Sequence, residues 1–466
     1  MEDRRALIVL LALLAAACPA AGYGNDGPHQ AINEMAVAKA LALRQSDGYP
    51  ASFDGTPVYG TDALGGYSAL PPSLWIVSGG YTADVPDTNS FQHGYNPVTG
   101  KGFMGFGTAD AWVAGASGNL WSYSGAHNYL ARALASDISP ERPDSQDLYS
   151  SAWRAAGESM HLVADMTVPA HARTDIHPFA EPYEQMTTRA EIEAYGNGPV
   201  SGSVKYGTFT ARGNIRDLMT ALATWTHDNF YSEDTITGLS GEPDADGYYH
   251  ATVDGKNVVS CRRTLSEYAG AGPGRSVVTR TSEHFTVADK TVLETQQRLL
   301  LPNAVYGDAL ALAELLPRLR VVVDGVAPYP GTGQVTLFAH LVHKPTAQWS
   351  TMPVIANGAW VQVNDNAPVY LYRSKNAYSD LSKIQYPLNA NPGDRVRLYY
   401  DFGGYRISAP VYTVPDYTET TPEETIVFEV PTEEERYPLS TPVPEGTNPF
   451  TDGGSCSENP DFPWCP

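Results

Sequence analysis

The segment from Gly157 to His171 reads Gly-Glu-Ser-Met-His-Leu-Val-Ala-Asp-Met-Thr-Val-Pro-Ala-His, and it constrains the fold more than any other stretch of the chain. His161 and Asp165 stand four apart, so a helix places both on one face. Gly157, one turn earlier, keeps that face uncrowded. Pro169 stops the helix, and the chain can then return His171 to the same space. Two imidazoles and a carboxylate converging in this way suit zinc. A His and an Asp four apart also describe an ordinary surface pair. The Pro-x-His that follows makes the metal reading much the stronger one.

Around this segment the apolar spacing predicts helices over 29–46, 125–136, 145–166, 187–195, 213–230 and 286–316. Residues 47–120 are rich in Gly, Tyr, Pro, Asn and Asp and predict long ordered loops. Residues 236–280 predict a surface hairpin insertion. Beyond Arg318 the pattern changes to short β-type runs: Val321 to Val323, Val335 to Val342, Trp360 to Val363, Val369 to Tyr372 and Val396 to Tyr400. The predicted fold is a mainly α-helical metal-binding catalytic domain (residues 23–317), then a small β-sandwich domain (318–412). A disordered acidic, Pro-rich tail (413–466) completes the chain.

The chain has 466 residues, 42% of them hydrophobic, enough for a sizeable core. Residues 1–22 read as a signal peptide: Arg4 and Arg5 precede an apolar run from Ala6 to Ala17, and small residues follow. Cleavage after Gly22 makes Tyr23 the new N-terminus, and a secreted or extracellular protein is expected. Cys18 as a lipidated cysteine of a cell-surface lipoprotein is the lesser reading, because Ala15 stands where Leu is usual. Cys456 and Cys465 can close a small disulfide outside the cell, leaving Cys261 as a lone thiol. The net charge is −22, and residues 416–466 hold half of it, with twelve acids against one arginine. A chain this acidic is a poor match for a phosphate backbone, so no stable nucleic-acid partner is expected.

Further candidate ligands flank the central segment. Asp84 lies in Gly80-Tyr-Thr-Ala-Asp-Val-Pro86, and His93 opens His-Gly-Tyr-Asn-Pro-Val-Thr-Gly-Lys101. His177 follows His171, with Glu181 and Glu184 just beyond, and His29 opens the first predicted helix. His127 is expected to pack or hydrogen-bond, and His227 to close a helix. Trp75, Tyr81 and Tyr95 can line a cationic head-group cage, with ordinary packing the default.

These residues resemble the zinc-dependent phospholipase C family and, more distantly, the P1-type nucleases. His161, Asp165, Pro169 and His171 match the family's H-x-x-x-D-x-x-x-P-x-H stretch in order and spacing. Asp84 and His93 look like its acidic segment followed by an H-[FG]-Y-[DN]-P-x-[TN]-G-K loop. His29, Ile32 and Ala36 look like its first helix. The likeness covers roughly residues 23–316 and is patchy between motifs. It departs at the last ligands, where His177 and Glu181 have the spacing but Pro182-Tyr183-Glu184 has the wording; Glu184 is preferred and Glu181 stays open.

The resemblance implies two or three zinc ions. One is held by Asp84, His93, His161 and Asp165. A second is held by His171, His177 and Glu184. A third is held by His29, Asp165 and the terminal amine and carbonyl of Tyr23. It also implies phosphodiester hydrolysis by a metal-bound hydroxide, with Asp84 and Asp165 as catalytic residues. The implied substrate is a phospholipid at a membrane surface, cut to diacylglycerol and a phosphorylated head group by a monomer. The alternatives are a single-strand nuclease of the P1 type, whose late N-L-H-x-x-W-D stretch is missing, and a catalytically idle cell-surface binding protein. If Tyr23 supplies its free amine, a form extended at its N-terminus will bind one zinc ion fewer than the processed form. Elemental analysis of the two forms checks this.

Overall fold

Three helices meet almost backbone to backbone near the middle of the structure, a computed structural model. The described residues are 27–53, 55–61, 66–135, 143–175, 181–270, 278–329, 333–351, 359–371 and 383–416. Helix α1 (Pro28–Ser46) starts on a proline and buries Ala31, Ile32, Ala36, Val37 and Ala40 at helical spacing. Helix α2 is Pro72–Thr82, α3 is Ala109–Val113, α4 is Tyr123–Ala135 and α5 is Pro143–Asp165. A side chain on Gly157 of α5 would overlap the Ile76 carbonyl of α2, and one on Gly79 would lie 2.7 Å from the Gly157 Cα. A Cβ on Gly80 would sit 2.8 Å from Asn33 Nδ2 of α1. Asn33 fills the junction by donating to the carbonyls of Ile76 (3.0 Å) and Gly157 (3.2 Å). Gly157 thus does more than leave a face open: it lets α2 touch α5.

Helix α2 falls where the composition predicts loops. Gly79 and Gly80 have poor helix propensity, and the close crossing is what they serve. The same stretch also holds a hairpin of β2 (Val58–Thr61) and β3 (Tyr67–Leu70), after the short strand β1 (Ala51–Ser52).

Past α5 come α6 (Pro169–Arg173), α7 (Pro182–Met186), α8 (Arg189–Tyr195), α9 (Tyr206–Arg212), α10 (Ile215–Asn229) and α11 (Lys290–Leu315). Side chains cap four of them: Glu181, Thr188 with Glu191 in a capping box, Asn214, and Asp289. Helix α11 is buried on nearly every side from Leu299 to Leu315 and forms the spine of the core. Arg44 of α1 reaches its Ala313 carbonyl, with Glu314 3.6 Å away. Between α10 and α11, β4 (Tyr248–Val253), β5 (Lys256–Gly270) and β6 (Val278–Thr286) make a three-stranded antiparallel sheet where a hairpin insertion is predicted.

Among the described residues eight strands follow: β7 (Arg318–Tyr329), β8 (Gln334–Lys344), β9 (Ala359–Val363), β10 (Val369–Tyr370), β11 (Lys383–Leu388), β12 (Arg395–Phe402), β13 (Tyr405–Ser408) and β14 (Tyr412–Thr413). One sheet runs β11-β8-β7. The other runs β1-β13-β12-β9-β10, with β14 also on β12. Strand β1 therefore enters a sheet made otherwise from the end of the chain, with Ala51 opposite Ile407. The β12–β13 turn, Gly403-Gly404 at φ of 61° and 78°, seats against Tyr149 and Pro72. Trp153 donates its indole N–H to the Gly403 carbonyl at 2.8 Å. All described residues belong to one compact unit, residues 1–372 with 381–417. No helix among the described residues is long and apolar enough to cross a membrane. The signal-peptide segment, Tyr23, Cys18, His177, the tail from 417 and the Cys456–Cys465 pair lie outside the described residues.

The glycine crossing yields a prediction. Alanine at 157 improves helix propensity by about 1 kcal/mol, but its methyl meets the α2 backbone. Overpacking of this kind costs about 1–3 kcal/mol and more against backbone. Gly157→Ala will lower stability by about 2 kcal/mol net, read as a lower urea midpoint with an unchanged slope.

Candidate metal centre

The residues gathered at the end of the crossing are among the most deeply buried in the protein. His29, Asp84, His93, His161, Asp165, His171 and Glu184 are each at most 3% exposed. His29 comes from the first turn of α1, one turn before Asn33, and Asp84 stands two residues past α2. His161 and Asp165 come from the last turns of α5, and His171 from α6. His93 closes a short 3₁₀ turn (Asp87–Gln92). Among the described residues two groups of ligand atoms converge within 4.8 Å: His29 with His161 and Asp165, and Asp84 with His93 and His161. The buried His and Asp groups thus form a set that can hold metal ions, and His161 belongs to both groups.

The loop after His93 shows what its Gly-Tyr-Asn-Pro-Val-Thr-Gly-Lys wording builds. Asn96 Oδ1 accepts from the amides of Val98 and Thr99, both at 3.0 Å, which folds the turn. The Tyr95 amide donates to the His171 carbonyl at 3.0 Å, and Asn96 Nδ2 donates to the Arg173 carbonyl at 3.3 Å. This lashes the loop to α6. In return, His171 Nδ1 lies 3.2 Å from the His93 carbonyl.

Asp165 spreads its two oxygens over different imidazoles. Oδ1 lies 3.3 Å from His29 Nε2, whereas Oδ2 lies 3.0 Å from His93 Nδ1, 3.5 Å from His171 Nδ1 and 3.6 Å from His161 Nε2. Asp84 lies 3.3 Å from His93 Nδ1 and 3.6 Å from His161 Nε2. Glu184 lies 2.8 Å from His171 Nε2. Glu181 is used differently, since its carboxylate accepts the Glu184 amide at 2.9 Å and caps α7.

The ionisation states follow from these neighbours. Burial, and next the His161 ring stacked 3.5 Å away, pull His29 down to about 4. Burial likewise pulls His161 to about 4, so both rings are neutral near pH 7. The Gly80 carbonyl, 2.8 Å from His161 Nδ1, can only accept, so Nδ1 carries the proton. The Nε2 lone pair of His161 therefore faces the oxygens of Asp84 and Asp165, acceptor against acceptor, with no hydrogen bond. Burial would lower His171, but Asp165 and Glu184 outweigh it and hold the ring well above the ordinary value. Burial is also the largest influence on Asp165, upward, yet His171 and His161 outweigh it and leave it well below the usual range. Burial raises Asp84 against the pull of His93.

Buried carboxylates facing a lone pair are costly unless a cation lies among them. Nitrogen and carboxylate donors in this number fit zinc. The Gly80 and His93 carbonyls orient two of the rings as outer partners do in metal sites. Of the remaining predicted positions, His127 lies 3.1 Å from the Gln348 carbonyl and packs on Trp349. His227 pairs with Asp228 at 3.1 Å, outside both groups. Trp75 is fully buried and donates to the Val58 carbonyl, and Tyr95 bonds Thr220, so both serve packing.

Three contributors escape the sequence pattern. Asn33 and Thr82 carry no metal-ligand signature; a polar residue one turn after His29 on an apolar face is the only sign of Asn33. Asp308 of α11 is fully buried, and burial first, then the charge of Asp165, keeps its carboxyl well above the usual range.

No family model matches the chain, and no curated protein matches it. Among solved structures it is similar to alpha toxin from Clostridium absonum, with 10% identity over 84% of this chain and 98% of that one, at a TM-score of 0.26. Superposition that loose leaves the functional case to the side chains described above.

The protonation states give a prediction with a definite sign. His171 is protonated at neutrality and must lose its proton to become a ligand, whereas His29 and His161 already have. If the centre binds a metal ion through His171, binding at pH 7 will release protons, and apparent affinity will rise with pH until the raised pKa of His171 is passed. Calorimetry in buffers of different ionisation enthalpy counts the protons, and His171→Gln will lower the count.

Proposed function

We propose that the protein is a zinc-dependent phosphodiester hydrolase of the phospholipase C type. One observation carries the metal part of this reading: the neutral His161 turns a lone pair toward two buried carboxylates. Asp84, His93 and His161 would hold one ion with Asp165 Oδ2, and His29 approaches Asp165 from its other oxygen. His171 and Glu184 would hold a further ion. Tyr23 and His177 complete the proposed set from outside the described residues. The split contacts of Asp165 support a bridging role, and the capping contact of Glu181 supports Glu184 as the ligand.

A bound zinc cluster supplies a lowered pKa for water and positive charge for the phosphoryl oxygens. The chain's own contribution is position and proton handling. Asp84 is placed to accept the proton of the attacking water, and burial, which raises its pKa, makes it a better acceptor. Asp165 stays ionised and fixes the separation of the groups around it. The choice of phospholipid, cut to diacylglycerol and a phosphorylated head group at a membrane surface outside the cell, is supported by the motif resemblance in the sequence.

Two measurements test this. Protein purified with zinc will carry two or three ions per chain; fewer than one removes the reading. Asp165→Asn will lower hydrolysis of phosphatidylcholine by at least about a hundredfold, because the amide offers one neutral oxygen and an NH₂ facing the cations. His227→Ala will stay within about threefold of the parent, since its ring lies outside both groups. Near-normal rates for a folded Asp165→Asn would sink the assignment.

A further inference from the structure

Helix α5 carries a polar stripe that continues outward from the metal centre: Asp165, His161, Glu158 and Arg154 follow one another at spacings of four, three and four. Glu158 is buried, and its Oε1 accepts from two groups. The Thr82 hydroxyl donates to it at 2.6 Å and Arg154 Nε at 2.9 Å. Arg154 Nε also lies 3.3 Å from Thr82 Oγ1. The guanidinium in turn lies 4.1 Å from the ring centre of Trp121. Thr82 is the last residue of α2, and Asp84 comes two residues later. The triad therefore joins the end of α2 to α5 one turn before His161.

The glycine contact cannot do this alone. Gly79 and Gly157 set how near the two helices pass, but smooth surfaces leave sliding and rotation open. A short hydrogen bond to a carboxylate has direction as well as strength. Beyond Thr82 the chain leaves the helix, so the position of Asp84 depends on how firmly that last turn is pinned.

We propose that Glu158, through Thr82 and with Arg154 as its counter-charge, is a positioning residue that holds Asp84 at the distance from His161 at which both can share one metal ion. The inference rests on the zinc reading above. It assigns to the triad no contact with substrate.

The test is zinc affinity measured by competition with a chelator. Glu158→Ala is expected to weaken the tightest Asp84-dependent site by about 10–100-fold, the range seen when an outer partner of a ligand is removed. In an Asp84→Asn background the same change is expected to cost less than about twofold, because the residue being positioned has already lost its charge. Thr82→Val removes only the hydroxyl and is expected to cost at least about threefold, with a changed visible spectrum of the cobalt(II)-substituted protein. It also serves if Glu158→Ala does not fold. Wild-type affinity in either variant overturns the proposal, as does an equal loss in both backgrounds. A wild-type protein that binds no zinc overturns the zinc reading itself, and this inference with it; the parent control separates that outcome from failure of the positioning role.

Discussion

Everything at the centre of this protein depends on two helices touching without side chains between them. Gly79 and Gly157 bring the α2 and α5 backbones together, and Asn33 seals the contact by bonding a carbonyl from each. Only at that separation can groups from α1, α2 and α5 share one small volume. Two apolar side chains at the crossing would add dispersion energy to the core. They would also move Asp84 away from His161 by about the width of a methyl group.

The closeness sets an electrostatic problem. Four imidazoles and three carboxylates lie in space that water barely reaches. The protein handles it by dividing the rings into two kinds. His29 and His161 are neutral, while His171, flanked by Asp165 and Glu184, keeps a proton. The Gly80 carbonyl fixes which nitrogen of His161 points outward and which inward, and the His93 carbonyl helps to orient His171. The arrangement is one that can hold metal ions.

Much of this was legible in the sequence, for a definite reason. Where candidate residues sit on one helix, spacing translates directly into geometry, and the meeting of His161, Asp165 and, past Pro169, His171 is of that kind. The predicted helices at 29–46, 145–166, 187–195, 213–230 and 286–316 match observed helices to within a few residues, because apolar periodicity and caps such as Asn214 and Asp289 are local signals. The misses share a cause too. Helix α2 hid in a glycine-rich stretch because its glycines answer to a partner helix far along the chain. The pairing of Ala51 with Ile407, and the bond from Glu158 to Thr82, are likewise relations between distant segments. Spacing alone does not separate Glu181 from Glu184, because the difference between them is tertiary: Glu181 caps a helix through one oxygen, and Glu184 lies beside His171.

Strand β1 has a consequence for how the chain is made. Its partner β13 emerges from the ribosome long after it does; at about 10 residues per second, roughly half a minute passes between them. During that interval the edge of the early segment has no sheet to join. The glycine turn that seats on Tyr149 and Pro72 arrives equally late. A chain arrested before β13 would expose Phe53 and Trp153, which pack against Tyr405 in the finished molecule, and would be a target for chaperones rather than a smaller working protein.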